Sequence, residues 1–282
     1  MSQNETKLFL KYFKNVIIGR KQQQFVYLPK NHMSSDLLKT LVRLSDEYKE
    51  TCVEHISIDC VVFGFYDNTL KILLIQPKEQ TLWALPGGYL KNNEDMDHAA
   101  MRVLKERTGA EEIFLKQFHT FGKQNRSEYY FDEYPDDLWH KQRFACTAYY
   151  ALIDYRMVDP KVDVTSQACQ WHDVDKVPDL IMDHSEIFQK ALKQLRKDLN
   201  SKPIGLNLLP EKFTMPELKK LYDAILGKEL HRTNFYRKIL RYGILIKLPE
   251  VRLGLAHRSP ALYSFNIETY EKALLEGFNN EW

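Results

Sequence analysis

Gly87-Gly88-Tyr89-Leu90-Lys91-Asn92-Asn93-Glu94, seven further residues, then Arg102-Val103-Leu104-Lys105-Glu106-Arg107-Thr108-Gly109-Ala110 is the stretch from which the fold is read. Asn93 or Glu94 is placed to begin a helix. Gly109 is placed to end it, because glycine enters the left-handed conformation of a C-terminal cap without steric penalty. Met96, Ala99, Ala100, Val103 and Leu104 recur at i, i+3, i+4, i+7 and i+8, an apolar stripe for a core. Residues 103, 106 and 107 share one side of that helix. The side carries an apolar branch, one carboxylate and one guanidinium, so its formal charge is zero.

The frame of Gly88, five residues, Glu94, seven residues, Arg102, Leu104, Glu106 and Gly109 resembles the Nudix box, and Leu85-Pro86-Gly87-Gly88 leads into it. The resemblance implies an α/β fold, the Nudix α/β/α sandwich with a mixed sheet. It also implies a helix that presents carboxylates to Mg²⁺ or Mn²⁺, hard cations that want oxygen ligands. Val103 and Arg107 stand where that family carries glutamates. Arg107 cannot give up its proton and repels a divalent cation at close range. The expectation is therefore no catalytic residue, no metal ligand and no cofactor, since metal-dependent pyrophosphate cleavage would lack its cage and its base.

The chain has 282 residues with 44% hydrophobic content, ordinary for a globular protein of one large or two small domains. Cys52, Cys60, Cys146 and Cys169 form no C-x-x-C pair. That argues against a zinc site or a disulfide framework and points to a reducing cytoplasm. No run approaches the length of a membrane span, and Met1 leads into polar residues, so no membrane partner is expected. Net charge is only +2, but residues 228–258 hold eight basic residues against two acidic ones, a local net of +6. Such a patch points to a polyanion, with a solvated charged face as the alternative.

Residues 1–54 read as an N-terminal extension, with a hairpin at Asn15–Leu28 and a helix from Ser34 or Ser35 to Tyr48. Residues 55–200 read as the first domain. Strands are expected at Ile56–Tyr66, Leu70–Gln76, Leu115–Phe121, Arg143–Asp154 and Cys169–Val174. Asn125–His140 reads as a long loop over a pocket, and Ser185–Leu199 as a helix. Lys202–Pro210, rich in Pro and Gly, marks a junction to a second domain over residues 201–282. There Thr214 and Glu217 form a capping box for a helix ended by Gly227. A basic helix spans about Arg232–Arg241, and strands follow at Ile244–Leu248 and Ala261–Phe265. This is the outline of a winged helix-turn-helix.

In the basic helix Phe235, Ile239 and Leu240 are placed to anchor it. Arg232, Thr233, Asn234, Tyr236, Arg237, Lys238 and Arg241 remain for a duplex, with Lys247, Arg252, His257 and Arg258 on the wing. Arginine reads guanine bidentately in the major groove and asparagine reads adenine. Threonine, tyrosine and lysine suit phosphates.

A damaged box followed by Pro203-Ile204-Gly205, Asn207-Leu208-Leu209-Pro210, Phe213-Thr214, Leu221-Tyr222, Ala224-Ile225 and Asn234-Phe235 resembles the Nudix-related transcriptional regulators over roughly Ile56–Phe265. The resemblance implies a Nudix domain that senses a small molecule and a winged helix that binds operator DNA as a homodimer. Members respond to ADP-ribose or to sugars such as the pentose arabinose. Ile58-Asp59-Cys60-Val61-Val62-Phe63-Gly64-Phe65, Ala148-Tyr149-Tyr150-Ala151-Leu152-Ile153 and Asp183-His184 look most like the sugar-responsive branch. Trp83, Arg107, Lys123, Arg126 and His184 are the candidate effector contacts, since an aromatic face stacks on a sugar ring and polar groups bond its hydroxyls. Two other readings stand beside this one. One is a metal-dependent Nudix hydrolase of a nucleoside diphosphate using Glu94 and Glu106. The other is a protein-interaction module that binds no DNA.

Overall fold

The computed structural model describes residues 35–109, 113–251 and 260–278. The hairpin expected at Asn15–Leu28 lies outside them, as do Arg252, His257 and Arg258 of the wing. In chain order the elements are α1 (Ser35–Thr51), β1 (Cys52–Tyr66), β2 (Thr69–Pro77), β3 (Gly87–Lys91), α2 (Met96–Thr108), β4 (Phe114–Phe121), β5 (Ala145–Leu152), β6 (Ser166–Asp173), α3 (His184–Ser201), β7 (Phe213–Thr214), α4 (Met215–Leu226), α5 (Arg232–Arg241), β8 (Leu245–Val251), β9 (Ala261–Phe265) and α6 (Ile267–Glu276).

The first sheet runs β4-β5-β1-β2-β6, with β3 paired to β1. Strand β1 is parallel to β5, and the other pairings are antiparallel. Its length of 15 residues lets one edge take β3 along residues 52–59 and β2 along residues 62–66. The Asp67-Asn68 turn between β1 and β2 has φ of 48° and 58°, as a tight hairpin turn requires. The apolar runs of β1 and β5 are continuous because both faces are covered. Ile58, Cys60, Val62, Tyr149 and Ala151 pack with Ala99, Ala100 and Leu104 of α2. Val61, Phe63, Ala148, Tyr150 and Leu152 belong to the opposite core, with Ile187, Phe188, Ala191 and Leu195 of α3.

One expectation near the box is corrected: the helix starts at Met96, not Asn93 or Glu94, and the Gly87-Gly88 run opens strand β3, which the sequence analysis does not anticipate. Asp95 is its N-cap, accepting from the His98 N–H at 3.0 Å. Gly109 closes it in the left-handed conformation, φ 67°. Glycine at 87 and 88 allows a close approach of helix and strands. A Cβ on Gly87 would stand 2.5 Å from Asp59 Oδ1, and one on Gly88 2.8 Å from Val103 Cγ2.

The second sheet is β7-β9-β8, and with α4, α5 and α6 it makes the winged helix. The capping box at Thr214 and Glu217 is present. Helix α6, which the sequence analysis does not anticipate, seats Tyr270 in the core. The junction is packed. Ile204, Leu208 and Leu209 are buried, and one core continues from Leu192 and Leu195 of α3 to Leu218, Leu221 and Ile225 of α4. Of the three expected anchors of α5, Phe235 and Ile239 are buried, but Leu240 is 52% exposed. Leu240 lies off the 235/239 row, which is the side that α5 buries. No helix among the described residues is long and apolar enough to cross a membrane.

Candidate functional site

The box helix carries no oxygen cage. Val103 is buried under β3 at 2% exposure. Arg107 is buried too, and its Nη2 donates to Asp163 Oδ2. Burial pushes the Asp163 carboxyl up, but the Arg107 hydrogen bond overcomes this and holds it down at about 2. Glu94 is enclosed by Arg102, which donates Nε to Oε2 at 2.9 Å and Nη2 to Oε1 at 2.6 Å. The same Nη2 reaches the Tyr89 carbonyl at 2.8 Å, and the Lys91 N–H donates to Glu94 Oε1 at 3.0 Å. The Arg102 hydrogen bonds hold the Glu94 carboxyl below its usual range. Glu94 and Arg102 therefore fasten the loop before the helix. Glu106 is mostly exposed and lies 3.5 Å from Arg102 Nη1. Among the described residues no group of three or more His, Cys, Asp or Glu is placed to hold a metal ion. The residues present do not fit a resident Mg²⁺, which wants near-octahedral oxygen.

Beside the middle of β1, at Asp59, lies a buried polar cluster. Arg126 donates Nε and Nη2 to Asp183 at 2.8 and 2.7 Å, and Nη2 approaches Asp59 Oδ2 at 3.5 Å. The Cys146 thiol donates to Asp59 Oδ2 at 2.8 Å, consistent with a thiol that burial pushes up. The Leu85 N–H donates to His184 Nδ1 at 2.9 Å, so the imidazole proton sits on Nε2, 3.8 Å from Asp59 Oδ1. Burial lowers the His184 pKa and keeps the ring neutral. Lys123 pairs with Glu186 at 2.6 Å.

Of the five residues proposed from sequence, Lys123, Arg126 and His184 converge on the first turn of α3. Arg107 is held by Asp163 instead, and the Trp83 ring meets His172 edge-on at 4.5 Å. Sequence reasoning missed Asp59, Asp183 and Asp163 as partners. A carboxylate inside the apolar run Ile58–Phe65 was the signal for Asp59.

Residues 123–144 bring aromatic groups against β3. Tyr89 of β3 meets Trp139 at 4.4 Å and Phe144 at 5.3 Å, and Tyr48 of α1 meets Tyr89 at 5.1 Å. Helix α1 holds this segment, since the Trp139 N–H donates to the buried Ser45 Oγ at 2.8 Å. His140 is buried there with no partner for Nδ1, and burial lowers its pKa to about 4.

In the second domain, α5 shows Arg232, Thr233, Asn234, Arg237, Lys238 and Arg241 to solvent, with Lys247 exposed on β8. Tyr236 is half-buried beneath the Arg232 guanidinium, 5.4 Å from the ring centre. Arg237 Nη2 donates to Asn234 Oδ1 at 3.4 Å. No carboxylate is paired with the exposed cations of this helix in the described contacts.

A Nudix domain model matches residues 54–192, and a model of the NrtR DNA-binding winged helix domain matches residues 205–265. The chain is 26% identical over 222 residues to the ADPR responsive transcriptional repressor NtrR of Acinetobacter baylyi, covering 76% of this chain and 83% of that protein. It is similar to the crystal structure of Shewanella oneidensis NrtR complexed with a 27mer DNA. The TM-score is 0.64 at 24% identity, over 77% of this chain and 96% of that one. It is similar also to a MutT/nudix family protein from Enterococcus faecalis, with TM-score 0.57 at 20% identity, over 94% and 99% of the two chains. At these identities the structural likenesses speak to fold alone.

Proposed function

Because this chain joins a Nudix domain to an NrtR-type DNA-binding winged helix, we propose that it is a transcriptional repressor whose first domain senses a small molecule and cuts none. The observation that carries the reading is the pairing of an exposed basic α5 with a box helix that has Val103 and a neutralised Arg107 on its metal-facing side. The protein acts in the cytoplasm, where operator DNA is. As a homodimer it would place two α5 helices about 34–36 Å apart on a pseudo-palindromic site.

By likeness to the ADPR responsive relative, ADP-ribose is the first effector to test. A neutral pentose is the second, and one observation favours it. Arg107, Arg126 and Lys123 are each already matched by a carboxylate, so a diphosphate bound by any of these three would have to break an ion pair. In either case the effector must bind the free and DNA-bound conformations differently, because only a difference in affinity moves the equilibrium.

Fluorescence anisotropy with DNA upstream of the protein's own gene tests this reading. Binding should weaken when ADP-ribose or arabinose is added. Neither compound should be consumed in the presence of Mg²⁺. Metal-dependent turnover lost in Glu106→Gln would restore the hydrolase reading, and failure to bind any DNA would favour a protein-interaction module.

A further inference from the structure

Helix α5 carries one side chain that phosphate binding does not use. Its 10 residues include no acid, and beside the buried Phe235 and Ile239 its remaining aliphatic side chain, Leu240, is 52% exposed. A single exposed leucine is ordinary on a protein surface. This one is set among cations. Thr233, Arg237 and Leu240 recur at i, i+4 and i+7, so they form one row, and all three are exposed. At ~100° per residue that row sits about 150° around the axis from Phe235 and Ile239, which makes it the outermost side of α5. Cations stand at both ends of the helix, Arg232 at its first position and Lys238 and Arg241 in its last turn. A helix that entered a groove by its first turn alone would leave the last pair without phosphates. One that lies along the groove uses both ends. The major groove, ~12 Å wide, admits a helix in that pose. From Thr233 to Leu240 the row covers about 10 Å at ~1.5 Å per residue. That is on the order of three base-pair steps.

We propose that Leu240 is a specificity-determining residue that packs on the C5-methyl group of a thymine in the major groove. Leucine neither donates nor accepts a hydrogen bond, so it cannot read a base edge by the pairings that polar side chains use. The thymine methyl is the apolar group that B-DNA shows on the floor of that groove. Contact between the two takes apolar area from water on both sides, which is favourable. Arg237 lies ~4.5 Å back along the axis, so the thymine stands about one or two base pairs from the base that Arg237 meets. The inference rests on the reading of the protein as a DNA binder through α5.

The test uses the full chain and a site selected with it from a random duplex library. Each thymine of that site is replaced in turn by deoxyuridine, which removes only the methyl group, and affinity is read by fluorescence anisotropy. For the parent protein, replacement at one thymine of each half-site should weaken binding by about fourfold, the worth of one such carbon group taken from water. Leu240→Ala should bind the thymine site about fourfold more weakly, and deoxyuridine at that position should then change its affinity by less than about 1.5-fold. Its response at every other thymine should match the parent's. Leu240→Met, still apolar, should keep part of the response. Because Leu240 is exposed, Leu240→Ala should melt within about 2 °C of the parent, so that a change in affinity is not a loss of fold. Undiminished sensitivity to deoxyuridine in Leu240→Ala overturns the proposal and gives the methyl contact to another group, such as Thr233, while DNA binding through α5 stands. A parent protein indifferent to deoxyuridine at every thymine overturns it as well. A parent protein that selects no site and binds no duplex fails one step earlier, at the DNA-binding reading, and takes the Leu240 contact with it.

Discussion

At the scale of single residues, two positions carry opposite kinds of information. Arg237 is exposed on α5 and lightly held by Asn234, so little must be broken for it to reach a base. If it reads a guanine, Arg237→Ala costs about 1–3 kcal/mol, roughly 5- to 150-fold in affinity, and relaxes base preference at one position of each half-site. Competition with singly substituted operators checks this, and a uniform loss across all of them would make Arg237 a phosphate contact. His140 is a buried group whose effect is on stability. Its folded pKa of about 4 lies below the unfolded value of 6.5, so between those values the unfolded chain binds more protons. Stability from this residue is whole above pH 6.5 and falls as pH drops toward 4, by an amount on the order of 3 kcal/mol. Asp163, held at about 2, begins to lose its contribution only below its ordinary 3.8, so the two windows barely overlap. His184 acts in the same direction as His140, so His140→Phe should flatten the acid limb of a melting-temperature profile without abolishing it. An unchanged limb would show that His140 is not what titrates. The candidate effector residues were only partly legible in the sequence. Charge and residue type mark Arg107 and Arg126, but their carboxylate partners lie 56 and 57 positions away along the chain.

At the scale of elements, those with a local cause were readable. Helix α4 has a capping box at its start and Gly227 at its end, α5 has a stripe at Phe235 and Ile239, and β1 has an unbroken apolar run. Strand β3 was hidden because Gly-Gly is a poor strand former, and only pairing with β1 and the close approach of α2 make it one. Helix α6 has local signals in its Asn266 N-cap and the Gly277 that ends it, but it was passed over, and what seats it is tertiary. Tyr270 Oη donates to the Pro203 carbonyl at 3.2 Å, and Phe278 just beyond the helix stacks on Tyr242 at 3.5 Å. The capping box supplies a direct test of element stability. Thr214→Ala removes the hydroxyl facing the Glu217 N–H at 3.4 Å but leaves the Thr214 N–H to Glu217 Oε2 bond at 2.7 Å. The expected loss is about 1 kcal/mol in denaturant unfolding. A loss above ~3 kcal/mol would mean that the buried side chain matters by packing more than by capping.

At the scale of the whole molecule, one continuous core joins the Nudix domain to the winged helix, so the winged helix is not on a loose tether. Its exposed cations, Arg232, Arg237, Lys238, Arg241 and Lys247, face solvent near one another in sequence while the chain as a whole is almost neutral at +2. A localised patch of this kind binds DNA by releasing counterions, so log affinity should fall linearly with log salt, by about 0.9 for each phosphate neutralised. Lys247 lies on β8, off the basic helix α5, and suits a phosphate better than a base edge. Lys247→Gln should therefore weaken binding to all sequences alike and make the salt slope shallower. The size of that change counts the copies of the chain on the operator. Each lost contact removes about one from the slope, so a homodimer with both wings engaged should lose about two and a single chain about one. Titrations at four or more salt concentrations separate these cases. A change near one with a palindromic site would refute the homodimer, and no change at all would place Lys247 away from the duplex.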